Sequence, residues 1–196
     1  MRKRLSSLLL VGTAMVGVMT AISMPAQVAP VHSKSLDVAV AYNAMRSNVT
    51  SGGSFWMQGG SVQVHGQFWR GLGVVADVAG AHGSGINASG VGLDLVTATF
   101  GPRYTWTPAH TKYSLFGQAL AGEAKGFNSI FPDVSGAISS GNSLALQVGG
   151  GMNLALSRHL AVRVLEAEWL RTQLPNGTTG VQNNLRLGAG IVFRFR

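Results

Sequence analysis

Leu185-Arg186-Leu187-Gly188-Ala189-Gly190-Ile191-Val192-Phe193-Arg194-Phe195 alternates from end to end. Leu185, Leu187, Ala189, Ile191, Phe193 and Phe195 share one parity, and Arg186, Gly188, Gly190, Val192 and Arg194 share the other. Successive side chains of a strand point to opposite faces, so the stretch presents one apolar face and one small or charged face. A tilted strand of about 9–11 such residues is long enough to cross a bilayer.

The pattern recurs upstream. Leu144, Leu146, Val148, Met152, Leu154 and Leu156 alternate with Ser143, Ala145, Gln147, Gly149, Gly151, Asn153 and Ala155. A helix through Gly149-Gly150-Gly151 would lose about 1 kcal/mol per glycine relative to alanine, so a strand is expected. Leu36, Val38, Val40 and Tyr42 oppose Asp37, Ala39, Ala41 and Asn43, and Val62 and Val64 oppose Ser61 and Gln63. Leu72, Val74, Ala76 and Val78 oppose Gly73, Val75 and Asp77, while Val91, Leu93 and Leu95 oppose Gly92 and Asp94. Two segments leave their parity open. One is 112–124. The other is 160–171, where Glu166 and Glu168 share a face but Arg163 falls on the opposite one. A bulge, or an arginine snorkelling to the interface, would reconcile them.

These readings give strands at 36–46, 56–64, 68–80, 91–106, 112–124, 143–156, 160–171 and 183–195. Short turns at 65–67, 107–111 and 157–159 alternate with long polar connections at 47–55, 81–90, 125–142 and 172–182. The expected fold is therefore all-β: an eight-stranded antiparallel up-and-down transmembrane β-barrel at 36–196, its termini at the short-turn, periplasmic end. The faces opposite the apolar ones are mostly Gly, Ala and Ser, which suits a narrow filled lumen better than the solvated surface of a sandwich.

Composition agrees. Glycine is 27 of 196 residues, and charged residues are 11% against a usual ~25%. Neither a triplet period nor a heptad nor an apolar run of about 20 residues is present, which sets aside collagen, coiled coil and spanning helices. Arg2, Lys3 and Arg4 precede a 14-residue apolar run, Leu8 to Ala21, and small residues follow. Residues 1–26 are expected to be a signal peptide cleaved after Ser23 or Ala26, with 27–35 a short N-terminal segment. Without the three leader cations, 12 basic face 7 acidic residues. They are scattered singly, so no nucleic-acid partner is expected despite a pI near 10.9. No cysteine is available for disulfides.

Phe100-Gly101-Pro102-Arg103-Tyr104, together with the ending Asn183 to Phe195, resembles the small OmpA-type outer-membrane β-barrel family over about residues 36–196. The resemblance implies an outer-membrane location, insertion by the outer-membrane assembly machinery and a C-terminal insertion signal. That signal usually ends in an aromatic residue, whereas Phe195 is penultimate here. The resemblance is to the barrel alone, and the peptidoglycan-binding domain of larger relatives is not expected.

Candidate chemistry is sparse. Gly71-Leu72-Gly73-Val74-Val75-Ala76 matches a dinucleotide pattern but lies within an alternating strand, so no nucleotide cofactor is expected. His32, His65, His82, His110 and His159 lack metal-ligand spacing, and His65, His110 and His159 fall in expected turns. His110 and Ser114 lie close together without a nearby acid, so neither a catalytic site nor a metal is expected. Asp77, Asp94, Glu166, Glu168 and Arg186 are the expected lumenal charge network, structural in role. A loop centred near residue 177 brings Arg186 opposite Glu168, with Glu166 as its alternative partner. Trp56, Trp69, Tyr104, Trp106, Tyr113 and Trp169 suit interfacial belts. The loop 125–142 holds Phe127, Ile130, Phe131 and Ile138, which suit either a contact surface or a fold over the barrel mouth. The sequons at 48–50, 87–89 and 176–178 are read as loop composition alone. The functional expectation is a monomeric, non-enzymatic structural or surface-interaction protein, in contact with outer-membrane lipids and with an extracellular partner through its loops. A small porin and a lipid-A-modifying hydrolase are the alternatives.

Overall fold

Alternation over this many short segments, with no helical period, leaves the backbone one way to satisfy its hydrogen bonds in lipid: closure of the sheet on itself. A computed structural model of the chain shows that closure. It describes residues 35–47, 54–84, 92–133, 136–175 and 180–195. The expected signal peptide, nearly all of the segment that follows it, and the three sequons lie outside the described residues.

Eight strands follow in order: β1 (Ser35–Ser47), β2 (Phe55–Trp69), β3 (Leu72–Gly83), β4 (Leu93–Trp106), β5 (Tyr113–Asp133), β6 (Gly136–Ala155), β7 (Leu160–Thr172) and β8 (Gln182–Phe195). Each pairs antiparallel with its sequence neighbour, and β8 returns to β1 through Val40 opposite Ile191. The seam closes the barrel, so no strand is left with a free edge along the wall.

The exterior is apolar. Val40, Val62, Val78, Phe100, Leu146, Val148, Leu165, Ile191 and Phe193 all point outward and are exposed. Trp69, Trp106, Tyr113 and Phe195 ring the end that carries the termini, while Trp56 and Trp169 stand toward the other end. The parity of β5 is settled by Ser114, Phe116, Gln118 and Leu120, which face the lumen.

Three boundaries differ from the sequence reading. The β2–β3 turn is at Arg70-Gly71, not 65–67, and His65 is a lumenal strand residue rather than a turn residue. Gly71 takes φ 90°, and Arg70 takes φ 36°, so the tight turn sits where a glycine can accept it. His82 lies in β3 instead of opening a loop. The expected loop 125–142 is largely strand: β5 and β6 continue past their neighbours as a hairpin, with Phe131 opposite Ile138. A register irregularity between Phe127 and Phe131, with Asn128 at φ 56°, lets the hairpin bend without breaking.

Candidate functional site

The lumen is filled in two layers. In the layer nearer the termini, charged and amide side chains from seven strands meet, Gln63 of β2 among them. Asp77 comes from β3, Arg103 from β4, Gln118 from β5, Gln147 from β6, Arg163, Glu166 and Glu168 from β7, and Arg186 from β8. All are buried. The wall permits this density because residues on the inward parity are small. At Gly149 a Cβ would stand 2.7 Å from Glu168 Cγ, and at Gly151 a Cβ would stand 2.8 Å from Phe116 Cζ.

β7 and β8 place Glu168 directly across from Arg186. Arg186 Nε donates to Glu168 Oε2 at 2.7 Å, and its Nη2 donates to Asp77 Oδ2 at 2.5 Å. Gln147 Nε2 bridges the same two carboxylates, at 2.8 Å from Glu168 Oε1 and 3.1 Å from Asp77 Oδ2. Gln118 Nε2 adds a further bond to Glu168 Oε1.

Glu166 takes a different partner. A bulge in β7 turns both Val164 and Leu165 outward, which returns Arg163 to the lumenal face. Arg163 therefore does not snorkel. Its Nη1 donates to Glu166 Oε1 at 3.0 Å and to Gln63 Oε1 at 2.6 Å, while Gln63 Nε2 donates to Glu166 Oε1 at 2.9 Å. Arg103 Nε donates to Gln118 Oε1 at 2.7 Å, and its Nη2 bonds Gln63. The guanidinium carbons of Arg103 and Arg163 lie 4.4 and 4.6 Å from the centroid of the Phe116 ring. Arg103, Arg163 and Arg186 thus stand against Asp77, Glu166 and Glu168, and the network is formally neutral. A buried charge is tolerated under just that condition.

Asp94 is a correction. It does not face the lumen: it points outward, where Asp94 Oδ1 lies 2.6 Å from His82 Nδ1 and Oδ2 accepts from Asn128 Nδ2. The reason is that Leu93 and Leu95, read as lipid-facing, are the inward pair and are fully buried. They join Met45, Met57, Phe131, Leu170 and Leu174 in an apolar layer at the loop end of the lumen. Phe131 thereby folds into the mouth, while Ile130 and Ile138 stay exposed. Between the two layers lies a cavity of about 10 Å3, bordered by Thr97, Leu95, Leu170 and Arg186. That is room for roughly one water molecule.

Sequence reasoning overlooked Arg103, Arg163, Gln63, Gln118 and Gln147 as members of the network. Gln147 carried a signal, since it stood between the small Ala145 and Gly149 on an inward parity. Among the described residues no three His, Cys, Asp or Glu side chains gather as around a metal ion. The Gly71 to Ala76 stretch is a hairpin turn running into β3, without the helix that a dinucleotide site requires.

Solved structures of small outer-membrane proteins share this architecture. Neisserial surface protein A matches with a TM-score of 0.61 and 16% identity, over 82% of this chain and 97% of that one. The attachment invasion locus protein Ail of Yersinia pestis, in complex with the heparin analogue sucrose octasulfate, matches with a TM-score of 0.56 and 17% identity, over 84% and 100%. The outer-membrane protein OprG of Pseudomonas aeruginosa gives 0.55 and 9%, over 84% and 97%. The fold is that of the small outer-membrane barrels. No family model matches the chain, and no curated relative matches it by sequence. An apolar exterior on this fold is that of a protein of the bacterial outer membrane.

Proposed function

We propose that the protein is a monomeric, non-conducting outer-membrane barrel that meets an extracellular partner through its protruding β5–β6 hairpin. The observation that carries this reading is the double filling of the lumen. The ionic layer and the apolar layer each span the bore with buried side chains, so the barrel serves as a rigid anchor and not as a path. What such an anchor displays is its loop end. There the hairpin presents Ile130, 61% exposed, and Ile138 on a two-stranded extension. An exposed apolar pair on a preformed element loses little entropy on docking.

The neighbours lend support of a general kind, since Ail was crystallised with a heparin analogue and is described as an attachment protein. The test replaces residues 128–139 with a two-residue turn in cells that express the protein. Attachment of those cells to matrix-coated surfaces should drop to the level of cells lacking the protein, while the trimmed barrel still shifts on gels after heating. Unchanged attachment would remove the hairpin from the account. An altered lipid A mass on overexpression would instead favour the hydrolase.

A further inference from the structure

On the periplasmic side of the ionic layer the lumen opens into a vestibule of about 330 Å3. Arg103 and Asn153 border it on the side of the network, and Lys112, Arg158 and Arg194 stand around it. These three cations come from separate elements: the β4–β5 turn, the β6–β7 turn and β8. Asp37 is the one carboxylate among the described lining residues. The charge of Arg103 is already matched within the network. The vestibule is therefore left with three cations against one carboxylate, a surplus of two positive charges. None of Lys112, Arg158 or Arg194 has an ion-pair partner among the described residues.

A second observation points the same way. Ser114, 4% exposed, lines the vestibule, and its Oγ has no hydrogen-bond partner. Like charges gathered at the mouth of a low-dielectric tube focus their field on its axis and raise the local concentration of anions. Two arginines also offer the planar forks that suit phosphate oxygens. A phosphate monoester carries about −1.5 to −2 charges at neutral pH, which matches the surplus, and the phosphodiester of a phospholipid headgroup, with one charge, offsets half of it.

We propose that this vestibule is a binding site for a phosphate-bearing anion presented from the periplasmic side. Two sources share that chemistry. One is a free phosphorylated solute. The other is the headgroup of an inner-leaflet phospholipid, because an apolar groove lined by Leu36, Phe68, Val74 and Phe195 on the lipid face shares Ser35 and Gln67 with the vestibule.

The test uses the whole protein purified in detergent. Tripolyphosphate is titrated calorimetrically at low and high salt, and phospholipid carried through purification is read by native mass spectrometry. Calorimetric binding at low salt that weakens with salt reports a free anion; a retained phospholipid reports a headgroup. In either arm the variant Lys112→Gln/Arg158→Gln/Arg194→Gln should weaken binding by at least about tenfold. Lys125→Gln, on the outer face near the loop end, should leave it unchanged. Heat-dependent gel migration checks that each variant has folded. If the triple variant does not fold, Arg158→Gln alone, on an exposed turn, should still weaken binding severalfold. No binding in either arm by the wild type, or binding that the folded variants retain, overturns the proposal.

Discussion

The two layers of the lumen do one job with opposite chemistries. Toward the short-turn end, Arg186, Asp77, Glu168, Gln147 and Gln118 hold one another through directed bonds, and each partner satisfies more than one neighbour. Toward the loops, Leu93, Leu95, Met45, Met57 and Leu170 fill space without direction. The first layer is therefore intolerant of losing one member, because a charge is left without its counterion in a low dielectric. The second should lose stability in proportion to the volume removed.

The largest effect is expected at Arg186. Arg186→Leu strands both Asp77 and Glu168, and should cost about 3–5 kcal/mol by thermal unfolding in detergent. The double change with Glu168→Leu should regain part of that loss and no more, since Asp77 remains unpaired. A double variant no more stable than the single one would show that Glu168 and Arg186 are not coupled.

Leu95→Ala comes next. It opens a cavity in the apolar layer and should cost about 2–4 kcal/mol, whereas the volume-conserving Leu95→Met should cost less than about 1.5 kcal/mol. If Leu95→Ala melts with the wild type, the apolar layer does not close around this side chain.

A pair of glycines sharpens the comparison. At Gly149, in the ionic layer, a Cβ would stand 2.3 Å from the Ala167 carbonyl oxygen and would displace Glu168. At Gly141, beside the apolar layer, it would meet nothing closer than Pro175 Cδ at 3.3 Å. Gly149→Ala should cost about 1–3 kcal/mol, and Gly141→Ala clearly less. Equal melting temperatures would mean that the ionic layer gives way as easily as the apolar one.

The smallest effect is expected outside the lumen. His82 is 64% exposed, and its bond to Asp94 is a surface pair. His82→Ala should change stability by no more than about 0.5 kcal/mol. A loss comparable with that of Arg186→Leu would place the His82–Asp94 pair in a buried setting.

The same contrast explains what was legible in the sequence. The charged layer was partly readable because charges are rare in this chain, and register arithmetic about residue 177 places Arg186 opposite Glu168. Arg163 was ambiguous because a bulge shifts parity by one residue and leaves no local signature. The apolar layer was legible only in Phe131, for which a fold over the barrel mouth was one of two readings. Alternation assigns leucine to lipid, so Leu93 and Leu95 were turned outward and Asp94 inward, the reverse of what packing at the loop end requires. The β2–β3 turn was misplaced because Gly66 looks like a turn residue, whereas it continues the β2 strand and Gly71 makes the turn. The extension of β5 and β6 was hidden by its Ser-, Gly- and Asn-rich composition, which reads as loop.

The claim common to all of this is that the lumen is sealed. Purified protein inserted into a planar bilayer at high salt, with insertion verified by protease protection, tests it directly. The account predicts a baseline without conductance steps for the wild type. Steady, reproducible unitary steps from the wild type would contradict it, because ions would then be crossing both layers at once.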